Sequence, residues 1–188
     1  MKIAFIGTHS SGKSTMCKAL AALPEFSGYY VAQEPMREVA KLGFKVNMEA
    51  DDASQLAMAA LHEHNLVNHE NVIFDRSMLD AWIYARYINS ENGAVTDSRL
   101  RVLSNLLWKY LKEYDYLFLC DPGIPVVEDG FRDTASKFRD DINDLFFSMK
   151  DFIEHTCNGV HIHVIKGTPE ERLATVLDII HGTKQEDK

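Results

Sequence analysis

The residues of this chain best suited to chemistry lie near its amino terminus, in the segment Gly7–Ser14 (Gly-Thr-His-Ser-Ser-Gly-Lys-Ser). The segment fits the pattern G-x-x-x-x-G-K-[ST] and stands between an apolar run and a helical stretch, which is the setting in which this pattern binds phosphate. Its glycines allow backbone N–H groups to turn inward around phosphate oxygens, and the following helix adds the positive end of its dipole. We expect Lys13 to contact the β- and γ-phosphates and the Ser14 hydroxyl to ligate Mg²⁺.

These features predict a site for a nucleoside triphosphate, with ATP and Mg²⁺ as the expected cofactors. The residues predicted to contact the nucleotide are Gly7, His9, Ser10, Ser11, Gly12, Lys13, Ser14 and Thr15.

Charged side chains follow two further apolar runs that we expect to form strands. Glu34 and Arg37 come after the run that ends near residue 33, and Asp75 and Arg76 come at the end of the run that begins at residue 72. Because ligands of parallel α/β sheets bind at the carboxyl ends of the strands, these residues should face the Lys13 loop. There Asp75 would hold Mg²⁺ or polarise an acceptor hydroxyl; a helix cap is its alternative role.

The residue after Asp75 helps to choose between reaction classes. Many P-loop ATPases place a glutamate there to activate water, whereas this chain has Arg76, and it contains no guanine-reading N-K-x-D pattern. Both features favour phosphoryl transfer to a bound hydroxyl over hydrolysis. A nucleotide-dependent switch or ATPase is the alternative from a different class.

A third charged segment, at about residues 127–140, contains Arg132 and Arg139. Two arginines seven residues apart share one face if the segment is helical. They could fold over the phosphates as a lid, exclude water and stabilise the charge of the transition state. The alternative is an ordinary solvated helix, because Asp133, Asp140 and Asp141 lie beside them.

Histidines and aromatic residues in the middle of the chain have both functional and structural explanations. Three histidines of one expected helix have no accompanying cysteine, so core or solvated positions are favoured over a metal site; they are His62, His64 and His69. Aromatic residues of the next helices could stack an acceptor base, but their positions fit core packing better; they are Trp82, Tyr84, Tyr87 and Trp108.

The elements that must position these residues alternate along the chain. Strands are predicted at Lys2–Ile6, Tyr29–Gln33, Val72–Asp75, Tyr116–Cys120 and Val160–Ile165. Helices are predicted at 13–23, 35–42, 52–69, 77–90, 97–113, 136–155 and 169–181. Alternation requires crossover connections, and nearly continuous apolar runs are typical of strands buried on both faces. The sequence therefore predicts an α/β fold: a five-stranded parallel sheet flanked by helices on both faces, as a single domain over residues 1–188.

Composition and charge narrow the function classes. The 188 residues are 46% hydrophobic and carry a net charge of −8, which argues against a surface that grips long nucleic acid, although residues 1–48 carry a net charge of +3. No apolar run approaches the ~20 residues that span a bilayer, and no signal peptide precedes the first strand. The three cysteines are widely spaced, which favours reduced thiols over disulfide bonds. We therefore expect a cytoplasmic protein with no membrane partner.

Together these residues resemble the P-loop kinases of nucleosides and nucleotides, in particular the branch that includes nicotinamide riboside kinase domains and phage kinases. The similarity covers nearly the whole chain in the family's order. It rests on Gly7–Ser14, Glu34-Pro35, Asp75-Arg76-Ser77 with Asp80, Asp129-Gly130-Phe131-Arg132 with Arg139, and Gly167–Arg172. The Glu-Pro and Asp-Arg-Ser elements are also similar to signatures of deoxynucleoside kinases.

The resemblance implies a P-loop kinase fold with a small lid and Mg²⁺·ATP-dependent transfer of the γ-phosphoryl group to a hydroxyl of a nucleoside-type acceptor. By this likeness Glu34 is the first candidate for the general base and Asp75 the second, while Arg172 would lie near the adenine. The acceptor could be a free nucleoside or nucleotide. It could also be 5-hydroxymethyluracil within DNA, as in some phage kinases, which would act in the host cytoplasm. The helix at 52–69 could serve a homodimer as easily as a core.

Overall fold

Five parallel strands form one sheet, and the central strand leads into the phosphate-binding segment. The computed structural model describes residues 1–123 and 136–186. The strands are β1 (Lys2–Ile6), β2 (Tyr30–Ala32), β3 (Val72–Asp75), β4 (Tyr116–Cys120) and β5 (Ile162–Ile165). Their order is β2-β3-β1-β4-β5, and each neighbouring pair is parallel. The carboxyl end of β1 therefore lies between those of β3 and β4.

Seven helices connect or follow these strands within the described residues. They are α1 (Lys13–Ala21), α2 (Pro35–Lys41), α3 (Asp52–Asn68), α4 (Met78–Asn92), α5 (Asp97–Tyr110), α6 (Ser136–Thr156) and α7 (Pro169–Glu186). None of them combines the length and the apolar character that crossing a membrane would require, as far as the described part of the chain extends.

The sheet is buried because its side chains alternate between two apolar cores. Ile3 and Phe5 of β1 face a core completed by α1 and α7, whereas Ala4 and Ile6 face the larger core that includes residues of α3, α4, α5 and α6. Every residue of β3 and β4 is buried. This confirms the predicted α/β fold, with a parallel sheet covered on both faces.

Helix caps explain where several elements begin. The side chain of Asp51 accepts hydrogen bonds from the backbone N–H groups of Ala53 and Ser54 at the start of α3. At the start of α4 the cap is Ser77, whose hydroxyl accepts from the backbone N–H of Leu79. The alternative role of Asp75 as a helix cap is therefore wrong.

A few element boundaries differ from the predicted ones for identifiable reasons. The edge strand β2 is limited to three residues, Tyr30–Ala32, which pair only with β3. β5 begins at Ile162 rather than at Val160, because the backbone N–H of Val160 bonds to Cys157 in the turn after α6. α5 ends at Tyr110, and the predicted continuation to residue 113 is a 3₁₀ turn. α7 extends beyond residue 181 to Glu186.

Candidate active site

The phosphate-binding loop has the backbone geometry that its glycines allow. Gly7 has φ +131° and Gly12 has φ +90°, which are conformations that residues with a Cβ rarely adopt. A Cβ on Gly7 would lie 3.0 Å from the carbonyl oxygen of Cys120, so the loop also approaches the end of β4 too closely for a side chain. Gly12 precedes α1 directly, so the amino terminus of this helix faces the loop.

Lys13 is held under this loop. Its side chain is 5% exposed, and its ammonium donates hydrogen bonds to the carbonyl oxygen of Thr8 (2.5 Å) and to Ser11 Oγ (3.4 Å). Burial, followed by the nearby charge of Arg76, lowers the pKa of Lys13 to about 8. The carboxylates of Asp75, Asp80 and Glu34 act in the opposite direction. A bound polyphosphate would likewise favour the charged form of Lys13.

Ser14 and Asp75 meet beside Lys13. The Ser14 hydroxyl donates to Asp75 Oδ2 at 2.5 Å, while Asp75 Oδ1 is buried with no hydrogen-bond partner among the described residues. Burial and the neighbouring Glu34 raise the pKa of Asp75. A buried carboxylate oxygen without a partner, next to a hydroxyl, fits a divalent cation that prefers oxygen ligands. Ser14 and Asp75 are therefore the residues that would hold Mg²⁺.

The protein alone supplies few ligands for such a cation. Across residues 1–123 and 136–186, no group of three or more histidine, cysteine, aspartate or glutamate side chains could hold a metal ion. A cation at Ser14 and Asp75 would thus complete its coordination with water and with phosphate oxygens, as Mg²⁺ commonly does in phosphoryl-transfer sites.

Arg76 links the ends of β2 and β3 through a buried ionic network. Its Nε donates to Glu34 Oε1 at 2.7 Å and its Nη1 to Asp80 Oδ1 at 3.4 Å. Asp80 in turn accepts from the backbone N–H groups of Gly7 and Ser77, and Glu34 Oε2 accepts from Arg37 Nε. Arg76 has φ +86°, a strained conformation for a residue with a side chain, and such strain is typical of functional sites.

A pocket of about 640 Å³, part of it open to solvent, lies next to this network. It is walled by α2, the turn after it, α3, α4 and the first turn of α6, and most of its lining is apolar. The polar or charged side chains that line it include His9, Gln55, His62, Arg76 and Asp80. Its largely apolar lining, with a few convergent polar groups, is typical of a site for a small organic ligand.

His62 is buried in the wall of this pocket, at 3% exposure. Burial and the charge of Arg76 lower its pKa from 6.5 to about 3. The unfolded chain therefore binds a proton at His62 below pH 6.5 that the folded chain does not bind until about pH 3. Stability from this group is complete above pH 6.5 and is lost as the pH falls through that window.

We expect His62→Met to flatten the acid dependence of the free energy of unfolding. The group contributes a slope of up to about 1.4 kcal/mol per pH unit within the window. Urea unfolding measured at several pH values within this window should show a shallower dependence of the free energy of unfolding on pH in His62→Met. His64→Met should not show this change, because His64 is exposed on the same helix. Equal slopes in both variants would contradict a neutral, buried His62.

The first turn of α6 contacts the phosphate loop. The Thr8 hydroxyl donates to the backbone carbonyl of Arg139 at 3.1 Å, and the Arg139 guanidinium donates to the carbonyl oxygens of Ser10 and Pro122. The rings of His9 and Phe138 stack with centroids 5.2 Å apart. Arg139 thus lies at the loop, and its predicted role toward the phosphates stays a prediction. Arg132 and most of the predicted lid lie outside the described residues.

Arg172 of α7 donates a hydrogen bond to the backbone of the phosphate loop. Its guanidinium is 2% exposed and donates to the carbonyl oxygens of Gly167, Ser11 and Asp121, at 2.9, 2.7 and 2.8 Å. These bonds join α7 and the loop before it to the phosphate loop and to the end of β4. The predicted position of Arg172 near the adenine stays a prediction, and its guanidinium already bonds to three carbonyl groups.

Arg172→Ala should lower the free energy of unfolding by about 3 kcal/mol, because it leaves three carbonyl groups without their charged donor. The matched control is Arg101→Ala, which removes an exposed arginine from α5 and should change stability by less than about 0.5 kcal/mol. Urea unfolding at neutral pH measures both changes in the free energy of unfolding. A loss of nucleotide affinity in Arg172→Ala without loss of stability would instead indicate a direct contact with the nucleotide.

The structure brings together most of the residues that the sequence singled out. Lys13 lies within electrostatic reach of Glu34, Asp75 and Arg76, while Ser14 is partly buried and Thr15 is exposed at the start of α1. The sequence did not identify Gln55 and His62 as pocket residues. Their spacing with Met58 (i, i+3, i+7) marks one face of α3, but the same spacing is typical of core packing.

Comparison with known proteins identifies the family and the fold of this chain. A family model described as an AAA domain matches residues 2–172. No curated protein matches the chain. Among solved structures, thymidylate kinase of Candida albicans has a TM-score of 0.68 at 18% identity, and the alignment covers 97% of this chain and 91% of that one.

Two further solved structures are similar. Deoxyadenosine kinase of M. mycoides with bound products dCMP and dCDP has a TM-score of 0.69 at 18% identity, with 97% of this chain and 100% of that chain covered. NadR in complex with NR has a TM-score of 0.71 at 18% identity, with 96% of this chain but 50% of that chain covered. At this identity the likenesses establish the α/β P-loop kinase fold.

Proposed function

This chain belongs to the AAA domain family, and we propose that it is a Mg²⁺·ATP-dependent kinase that transfers the γ-phosphoryl group to a hydroxyl of a nucleoside-type acceptor. The acceptor that we favour is a small molecule, either a free nucleoside or a nucleotide.

The observation that carries this proposal is that one buried ion pair borders both the phosphate loop and the pocket. Asp80 accepts from the backbone N–H of Gly7 in the loop and also lines the pocket, and Arg76, its ion-pair partner, lines the pocket beside it. A ligand in the pocket and a polyphosphate on the loop would therefore meet at one point. Such a meeting of two ligands suits group transfer between them better than hydrolysis.

Each residue at this point has a role that follows from its chemistry. Lys13 would bind the β- and γ-phosphates, and Ser14 and Asp75 would hold Mg²⁺, which neutralises phosphate charge when it is bound. A carboxylate would accept the proton of the acceptor hydroxyl, whose oxygen then forms the new bond to the γ-phosphorus while the bond to the β-phosphate oxygen breaks and ADP leaves. Arg76 and Arg139, with Arg132, would stabilise the negative charge that spreads over the transferring group.

Glu34 is the carboxylate that we favour as the general base. It lies at the start of α2, directly before Pro35 and Met36, which line the pocket. Asp75 already accepts from the Ser14 hydroxyl, and its remaining oxygen suits the cation. We therefore assign Glu34 to the acceptor hydroxyl and Asp75 to the cation.

The structural relatives support a nucleoside-type acceptor. Two of them are named as kinases of a nucleotide or a nucleoside, and a third is described in complex with NR. The mostly apolar pocket with a few polar side chains is also typical of a site for a small organic ligand. The net charge of −8 also favours a small acceptor over a polymer, although a single base flipped out of DNA would need only a local contact.

Transfer of label tests the proposal. The purified protein is incubated with γ-labelled ATP and Mg²⁺, and with each common nucleoside, each nucleoside monophosphate, nicotinamide riboside, or DNA with or without 5-hydroxymethyluracil. Label in a free nucleoside or nucleotide supports the proposed kinase. Label only in the modified DNA would replace the small acceptor by a DNA base, and release of labelled phosphate alone would indicate an ATPase.

A further inference from the structure

The turn at residues 75–77, which joins β3 to α4, contains the strained residue Arg76. A φ of +86° is a conformation that a residue with a side chain keeps only where the surrounding structure holds it. Asp75 ends β3 directly before Arg76, and Ser77 caps α4 directly after it. The direction in which the Arg76 guanidinium points therefore depends on the groups that fix the backbone of this turn.

Most backbone N–H groups at the turn bond to the neighbouring strand or to the cap of α4. The N–H of Arg76 donates to the carbonyl oxygen of Phe5 in β1 at 3.0 Å. The N–H of Ser77 donates to Asp80 Oδ2 at 2.9 Å, and the N–H of Leu79 donates to Ser77 Oγ at 3.1 Å. These partners belong to β1 and to the first turn of α4 itself.

The N–H of Met78 bonds instead to a side chain that is distant in sequence. It donates to the hydroxyl oxygen of Tyr114 at 3.0 Å, across 36 residues. The first N–H groups of a helix have no backbone partner within it, and Met78 is fully buried. The Tyr114 hydroxyl is therefore the group that satisfies this donor.

The ring of Tyr114 contacts the other end of the same turn. It packs edge-on against Phe74, the residue before Asp75, with ring centroids 5.5 Å apart. Tyr114 is itself buried at 7% exposure, and the N–H of the next residue, Asp115, donates to the carbonyl oxygen of Lys2 in β1 at 2.9 Å. One side chain, fixed next to the sheet, thus contacts both flanks of the turn.

On the basis of the proposed kinase function, we propose that Tyr114 is a positioning residue that holds Arg76 in its productive geometry through the backbone of the turn. Without the hydroxyl, the buried N–H of Met78 loses its partner and the turn relaxes toward an unstrained φ at Arg76. The guanidinium then moves away from the place where charge develops on the transferring phosphoryl group. Binding of ATP and of the acceptor is affected much less than turnover.

Tyr114→Phe tests this role, because it removes only the hydroxyl and keeps the ring against Phe74. The matched control is Tyr116→Phe. Tyr116 is also buried, at 8% exposure, but its hydroxyl donates to the carbonyl oxygen of Ile180 in α7 and not to the turn. Steady-state kinetics gives kcat and both KM values for an acceptor that the wild type phosphorylates, and thermal unfolding shows that each variant is folded at the assay temperature.

In Tyr114→Phe we expect kcat to fall by about tenfold or more while KM for ATP and KM for the acceptor stay within about twofold of the wild type. Tyr116→Phe should keep the wild-type kcat. A kcat within about twofold of the wild type in folded Tyr114→Phe overturns the inference. An equal loss of kcat in Tyr116→Phe also overturns it, because the effect would then be a general one of losing a buried hydroxyl.

A double-mutant cycle tests whether Tyr114 acts through Arg76. Tyr114→Phe is combined with Arg76→Lys, which keeps a positive charge but not the planar guanidinium. In the Arg76→Lys background the loss of the hydroxyl should lower kcat by about twofold or less, since residues that act through one another have non-additive effects. A full tenfold loss in this background means that the two residues act independently, and it overturns the inference.

The outcomes separate this inference from the function on which it rests. If the wild type phosphorylates no acceptor, the proposed kinase function fails and the inference fails with it. If the wild type phosphorylates an acceptor and Tyr114→Phe turns over at the wild-type rate, only the inference fails.

Discussion

Lys13→Ala will reduce phosphoryl transfer by about 10²–10³-fold, the typical loss when one preorganised charge or donor is removed from the transition state of an enzyme. The ammonium is the one side-chain cation of the phosphate loop segment Gly7–Ser14. It donates a hydrogen bond to the carbonyl oxygen of Thr8 under the loop, where burial lowers its pKa. Steady-state kinetics with a saturating acceptor measures the loss.

The fold should survive this change. Ser11 Oγ also donates to the carbonyl oxygen of Thr8, at 2.8 Å, so that oxygen keeps a partner when Lys13 is removed. We expect the free energy of unfolding to change by about 1 kcal/mol or less. Lys18→Ala, at an exposed position in the last turn of the same helix, is the matched control and should retain wild-type turnover. Turnover of Lys13→Ala within about threefold of the wild type would exclude the phosphate-binding role.

Glu34→Gln will lower kcat by about 10²–10⁴-fold, the range associated with loss of a general base. Glutamine keeps an oxygen that can accept from Arg76 Nε, so the buried network loses its charge balance but not all of its hydrogen bonds. We expect a stability cost of about 1–3 kcal/mol, below that of deleting one partner of a buried ion pair. Affinity for ATP should change little.

Asp75→Asn supplies the contrast that assigns the two carboxylates. We expect it to raise the Mg²⁺ concentration that gives the half-maximal rate by about tenfold or more. Glu34→Gln should leave this concentration unchanged. If Glu34→Gln shifts the Mg²⁺ dependence and Asp75→Asn lowers only kcat, the two roles are exchanged. Equal loss of ATP affinity and turnover in Glu34→Gln would mean that it is not the base.

The fold was largely predictable because its signals are local. The first, third and fourth strands match the predicted bounds, since an apolar run closed by a turn or a charged residue is readable within a few positions. Caps at Asp51 and Thr96 and the proline at the start of α7 mark helix starts in the same way. The ends of the edge strand β2 differ because they depend on where β3 offers partners, which is not a local property, whereas β5 begins late because of the turn between Cys157 and Val160.

For the site itself, the sequence by itself determined the phosphate loop, Gly7–Ser14, and the charged residues that follow β2 and β3. Glycine conformation, a helix amino terminus and a strand end are each fixed by a few consecutive residues. The tertiary structure decided what these side chains contact. It placed Arg172 on Ser11, 161 residues away, and Arg76 on Glu34, 42 residues away. The pocket likewise exists only where α2, α3, α4 and α6 converge, because a cavity is a property of packed elements and no single segment encodes it.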